Sequence, residues 1–226
     1  MKDIPVFTTE NGAASLTLSQ IPFSGKAYIT LRATKSPELL LTECMDFCRA
    51  CGAETLYAAG HEILFHYPHA VTLLTMRGTG SGSPGSAALW PLLPENRERW
   101  REIYNRAMEG VDNAVCLSYY DMEEMCRQGD CYFVHEKGEL LGIGKASRGR
   151  LHAIAAVRRG AGARVLSALL SLPGMEEVTL TVASTNHRAI RLYEKAGFLV
   201  TGEETVWYAV SEDCQGKILD KEKDVW

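Results

Sequence analysis

Asn186-His-Arg-Ala-Ile-Arg-Leu-Tyr-Glu-Lys-Ala-Gly-Phe198 is the stretch whose reading decides the fold. Asn186 is suited to cap a helix through its side-chain oxygen. Ala189, Leu192, Tyr193 and Ala196 then recur at helical spacing on one face. Gly197 supplies a left-handed stop, and Phe198 opens a strand-like run. Just upstream, Val178-Thr-Leu-Thr-Val-Ala183 alternates apolar and polar residues as a half-buried strand does.

Working back from this unit, Ala163–Leu172 reads as a helix stopped by Pro173-Gly174, and Leu151–Val157 as a mostly apolar strand buried on both faces. Cys131–His135 and Leu140–Lys145 form a hairpin with Gly138 in its turn. Asp121–Arg127 is a short helix, Gly110–Val115 a loop, Glu95–Met108 a helix, and Ala87–Leu93 an edge strand containing Pro91. Gly78-Thr-Gly-Ser-Gly-Ser-Pro-Gly-Ser86 reads as a flexible linker. No Gly-Lys-Ser/Thr follows it, so it does not make a phosphate loop. Before it lie a strand (Lys26–Ala33), a helix begun by Ser36-Pro37 and ended at Gly52, a strand (Glu54–Ala58), a helical turn (His61–Tyr67) and a third strand (Ala70–Met76).

The pattern Asn-x-x-Ala-x-x-Leu-Tyr-x-x-x-Gly-Phe at 186–198 resembles the signature of the GNAT N-acetyltransferase superfamily, and the element order over 87–211 is similar to the order of that fold. The resemblance implies an α/β (α+β) fold with a central mixed sheet. The first 77 residues repeat the order of its last five elements, so the expected organisation is tandem. It runs as a smaller partial GNAT-like unit (1–77), a linker (78–86) and a GNAT domain (87–226). The first unit has no glycine loop between its strand and helix (Ala33-Thr-Lys-Ser-Pro37), so it is not expected to cradle a pyrophosphate.

The resemblance further implies an acyltransferase for groups other than aminoacyl, with acetyl-coenzyme A as co-substrate. A primary amine would attack the thioester directly. A splay between Leu151–Val157 and Val178–Ala183 would admit the pantetheine arm, with Ile154, Ala155, Ala156 and Val157 lining it and supplying oxyanion N–H groups. Asn186 and Ala189 would also meet the cofactor. Tyr193 takes the position of the general acid toward the thiolate, and dimers are common among such proteins. For the diphosphate, Arg158, Arg159, Gly160, Ala161, Gly162 and Ala163 bring a glycine bend, a helix N-terminus and positive charge together. The superfamily's Arg/Gln-x-x-Gly-x-Gly/Ala fits in neither register. Counted from Arg159, Arg164 stands where Gly or Ala is expected; counted from Arg158, Ala161 replaces a Gly.

A phenol near pKa 10 is about 1.5 units above a thiol, so Tyr193 reads as a hydrogen-bond donor that completes proton transfer only if burial narrows the gap. Deprotonating an alkylammonium at pH 7 costs about 4.6 kcal/mol. His152, on the strand before the glycine bend, is the candidate base, and the imidazole's ordinary pKa suits the task. Tyr119, Tyr120, Asp121, Glu123 and Glu124 would suit a cationic amine or simply an exposed helix start.

Composition bounds the rest. The chain has 226 residues, 46% apolar and 23% charged, with a net charge of −4. That balance gives no reason to expect nucleic acid. No apolar run approaches the roughly 18 residues of a membrane span, and Met1-Lys-Asp-Ile-Pro5 is no signal-peptide core, so the expected location is cytoplasmic. Cys44, Cys48 and Cys51 share a helix face near His61, His66 and His69. They lack the paired knuckles of structural zinc, and the face reads as a buried apolar one with no metal. The competing functional reading is a catalytically weak coenzyme A-binding or interaction module.

Overall fold

The computed structural model describes residues 1–80 and 85–211. Compactness divides the chain into two units, residues 1–72 with 205–226 and residues 73–204. The boundary falls inside two strands and not at 78–86. Strand pairing, more than the glycine-rich segment, decides which residues cohere. Residues 81–84 of the expected linker lie outside the described residues.

The smaller unit begins with a hairpin, β1 (Ile4–Thr9) and β2 (Gly12–Thr17), and a short helix α1 (Ile21–Ser24). There follow β3 (Lys26–Thr34), α2 (Pro37–Ala50), β4 (Thr55–Ala59), a 3-10 turn at Glu62–His66 and the first residues of β5 (His69–Thr79). The end of β11 (Leu199–Val210) completes its sheet by pairing antiparallel to β4, Tyr208 opposite Ala58. Helix α2 lays Leu40, Leu41, Cys44, Met45 and Cys48 against Ala14, Leu16, Ile29, Leu31 and Leu56. Burial pushes the Cys44 and Cys48 thiols up to about 12. His61 accepts a hydrogen bond from the Ile63 N–H, and His69 bonds the Thr72 hydroxyl. Ser36 makes no side-chain cap, so the start of α2 rests on Pro37 in its first turn.

In the larger unit β6 (Ala88–Pro91), α3 (Arg97–Met108), α4 (Tyr119–Gln128), β7 (Cys131–Glu136), β8 (Glu139–Ser147) and β9 (Arg150–Ala156) come first. Then follow α5 (Gly162–Leu170), β10 (Glu177–Ala183), α6 (His187–Lys195) and the start of β11. Within this unit the strand order is β6-β7-β8-β9-β10-β5, antiparallel throughout except for parallel β9 and β10. The β7–β8 turn places Lys137 and Gly138 at φ +51° and +79°, the geometry of a tight hairpin turn.

Two cores flank the sheet. Trp100, Met122, Met125, Phe133, Ile143 and Ala155 pack under α3 and α4. Leu141, Val165, Leu169, Leu180, Tyr193 and Phe198 pack under α5 and α6. Helix α5 lies close on β8 because two of its residues lack side chains. A methyl at Gly142 would land on the Ala155 carbonyl oxygen and 2.9 Å from Val165 Cγ2, and one at Gly144 would meet the end of Leu169. Backbone cannot step aside as a leucine tip can. Gly142→Ala is therefore expected to cost about 1–3 kcal/mol, and Gly144→Ala less, as denaturant midpoints would report.

Candidate functional site

Strand β9 pairs with β10 only at Arg150/Thr179 and Leu151/Leu180, after which the two parallel strands part. Ala153 lies opposite Lys145 and Leu151 opposite Ala146, so His152 is the extra residue of a bulge at the point of parting. The expected burial of this strand on both faces is corrected here. His152 and Val157 are exposed, because beyond Leu151 only one edge of β9 has a ladder partner. The Val157 N–H donates to the Leu141 carbonyl at 2.9 Å. Strand alternation then turns the N–H groups of Ile154 and Ala156 the other way, into the gap. By contrast β3 and β4, the corresponding parallel pair of the smaller unit, stay paired from Lys26/Thr55 through Thr30/Ala59.

Residues 157–161 carry the chain from β9 into α5. Gly160 is left-handed at φ +82°, and the Ala161 N–H closes the bend on the Arg158 carbonyl at 3.2 Å. Ala161 has no side-chain cap to offer, so the N–H groups of Gly162, Ala163 and Arg164 have no carbonyl within the helix. Such an end favours an anion. Val157, Arg158, Arg159 and Gly160 are exposed beside it.

Arg158 is paired with Glu139 and Arg164 with Glu136. The Ser86 hydroxyl also donates to Glu136, and that bond, followed by Arg164, holds the Glu136 carboxyl below its usual range. The Arg158–Glu139 pair, exposed on both sides, is weak and readily exchanged for a phosphate. An open cleft of about 420 Å³ adjoins the bend, lined in part by Arg99, Arg106 and Arg158 with Glu102 and Glu139.

Helix α6 begins as its sequence predicts, Asn186 Oδ1 accepting the Ala189 N–H at 3.1 Å. It ends with the Gly197 and Phe198 N–H groups donating to the Glu194 and Tyr193 carbonyls. Tyr193 is 7% exposed and shares a cluster with Ile154, Ala156, Ala161, Ala189, Leu192 and Phe198. Ala155 faces the opposite core. Burial alone pushes the Tyr193 phenol well above its ordinary pKa, so the gap to a thiol widens where proton transfer needed it to narrow.

His152 has different neighbours. Loss of solvation, helped by Lys145 and Arg150 and opposed by Asp130, lowers its imidazole pKa. Five residues, about 16 Å of strand, separate it from Val157. The bulge and one long-range contact escaped sequence reading. In that contact the Thr185 hydroxyl, in the turn between β10 and α6, donates to Asp112 Oδ2 at 2.8 Å. Gly110 and the left-handed Asn113 marked a turn there without indicating its partner. Among the described residues no group of three or more His, Cys, Asp or Glu is placed to hold a metal, and no helix is long and apolar enough to cross a membrane.

Residues 97–198 match the acetyltransferase (GNAT) family. No curated protein matches the chain. A GCN5-related N-acetyltransferase from Sphaerobacter thermophilus aligns over 88% of this chain and 76% of its own, at 15% identity and a TM-score of 0.56. A tandem GNAT protein from the clavulanic acid biosynthesis pathway aligns over 88% and 78%, at 17% identity and 0.57. A conserved protein of unknown function from Staphylococcus epidermidis aligns over 92% and 95%, at 10% identity and 0.57. At these identities the likeness is one of fold.

Proposed function

We propose that the protein, whose residues 97–198 match the GNAT acetyltransferase family, transfers an acetyl group from acetyl-coenzyme A to a primary amine by direct attack. The observation that carries the reading is the parting of β9 from β10 above a helix N-terminus, with Tyr193 in the same cluster. The thioester supplies the activated acetyl carbon. The N–H groups of Gly162, Ala163 and Arg164, with Arg158 and Arg159, are suited to the diphosphate. The Ile154 and Ala156 N–H groups facing the gap suit the amides of the pantetheine arm and the thioester oxygen. A C–N bond forms as the C–S bond breaks, and the nitrogen sheds a proton. Tyr193 donates a hydrogen bond to the departing sulfur without ionising. Holding both reactants in the gap supplies much of the rate.

His152 is the base in this scheme. Its lowered pKa leaves it neutral at pH 7, and the acid limb of the rate profile should lie below the ordinary imidazole value. His152→Gln should abolish that limb. We read the smaller unit as a partial repeat that takes no cofactor, since β3 and β4 stay paired and no glycine bend follows β3. Titration calorimetry with acetyl-coenzyme A should therefore show one site per chain, and thiol release should require both acetyl-coenzyme A and an amine. The pairing of Arg158 in the bend and Arg164 in the first turn of α5 with glutamates favours the alternative of a catalytically weak coenzyme A-binding or interaction module. Heat on binding with no turnover on any amine would establish that alternative, and no heat at all would overturn both readings.

A further inference from the structure

The segment joining α3 to α4 is tied down at both ends. At its far end Leu117 is held by Asn105, whose Oδ1 accepts the Leu117 N–H at 2.8 Å and whose Nδ2 donates to the Leu117 carbonyl at 3.0 Å. At its near end the Val111 N–H turns back on the Met108 carbonyl and the Ala114 N–H on Val111, with Asn113 left-handed at φ +57°. Between these anchors Asp112 reaches Thr185, 73 positions away in sequence.

Thr185 directly precedes the Asn186 cap and lies two residues beyond the end of β10, where β9 and β10 have already parted. Asp112 therefore stands at the lip of the gap. Among the described residues its one hydrogen-bond donor is a neutral hydroxyl, and none of their ion pairs involves it. From Glu109 to Cys126 the sequence contains no lysine or arginine that could neutralise it from its own segment.

A carboxylate in that position attracts a cation, and the nitrogen that reacts must not be one. At pH 7 the neutral form of an alkylamine is already outnumbered roughly 10³-fold, and a carboxylate clasping it would deepen the deficit. Resting on the acetyl-transfer reading above, we propose that Asp112 recognises a second, non-reacting ammonium of the acceptor. The substrate class is then an amine carrying two cationic nitrogens. Thr185 acts as the positioning residue that aims the carboxylate.

The test compares butylamine with 1,4-diaminobutane at one pH and saturating acetyl-coenzyme A, following thiol release. The diamine should be favoured in kcat/KM about tenfold or more, the range for a hydrogen bond to a charged group. Asp112→Asn should collapse that ratio to about one, through KM for the diamine, and leave the acetyl-coenzyme A isotherm as it was. Thr185→Val keeps the carboxylate and should retain a ratio well above one. Equal use of the two amines by the native protein, or turnover of neither, overturns the proposal. So does an equal loss on both amines in Asp112→Asn, which would leave Asp112 a loop fastening only. The isotherm with acetyl-coenzyme A decides the acetyl-transfer reading separately.

Discussion

Tyr193→Phe is expected to lower kcat about a hundredfold while KM for acetyl-coenzyme A moves less than about twofold. The substitution removes one oxygen and keeps the ring that packs 6.0 Å from Phe198. No hydrogen bond to the Tyr193 hydroxyl is found among the described residues, and its oxygen is not one of the buried atoms left without a partner, so the ring is buried while the hydroxyl stays accessible to an incoming acceptor. Removing a hydroxyl that bonds nothing in the protein leaves no partner unsatisfied, so a lost rate would not reflect unfolding. The thiolate forms late in the reaction, which is why the loss should fall on kcat. Because burial raises the phenol's pKa, its proton stays on throughout the working range. The variant should therefore keep the shape of the pH profile and lose only its height. Unchanged kcat in Tyr193→Phe would reduce Tyr193 to a core residue.

What could be read from the sequence was local. The cap, face and stop of α6 lie within thirteen residues, and the structure reproduces them in the Asn186 and Gly197 bonds. The glycine bend before α5 was legible for the same reason, as was the buried face of Cys44 and Cys48. What escaped reading depends on which strand pairs with which. The gap above His152 exists because β9 and β10 share only two register pairs, a fact with no trace in either strand's own pattern. The boundary at Thr72/Leu73 arises because Leu73–Thr79 pairs with β10, residues about a hundred positions away. The Asp112–Thr185 contact is of the same kind. The β1–β2 hairpin carries a weaker local signal, because Thr9 pairs with Gly12 and leaves Glu10-Asn11, not Asn11-Gly12, as its two loop residues.

Phe198→Ala should be the most damaging single change to stability, at about 3–5 kcal/mol, or roughly a 10 °C fall in Tm. Phe198 is 0% exposed, and its ring lies against Gly78 on β5, where an added Cβ would sit 2.7 Å from Cγ and 2.8 Å from Cδ2. A glycine opposite a buried ring leaves no side chain to relax into the hole, so the cavity stays open and the cost falls at the upper end. The pair makes a sharper test than either residue alone. Gly78→Ala in the native background drives a methyl into the ring and should cost about 1–3 kcal/mol. In the Phe198→Ala background the same methyl enters empty space, so the double variant should be more stable than the sum of the two losses by about 1 kcal/mol or more. Simple additivity would refute this packing. Function should follow stability here, because the Phe198 N–H donates to the Tyr193 carbonyl at 3.0 Å and its ring borders the tyrosine. The cavity loosens the donor's seat, so folded Phe198→Ala protein should also show reduced kcat, and Gly78→Ala should restore part of it.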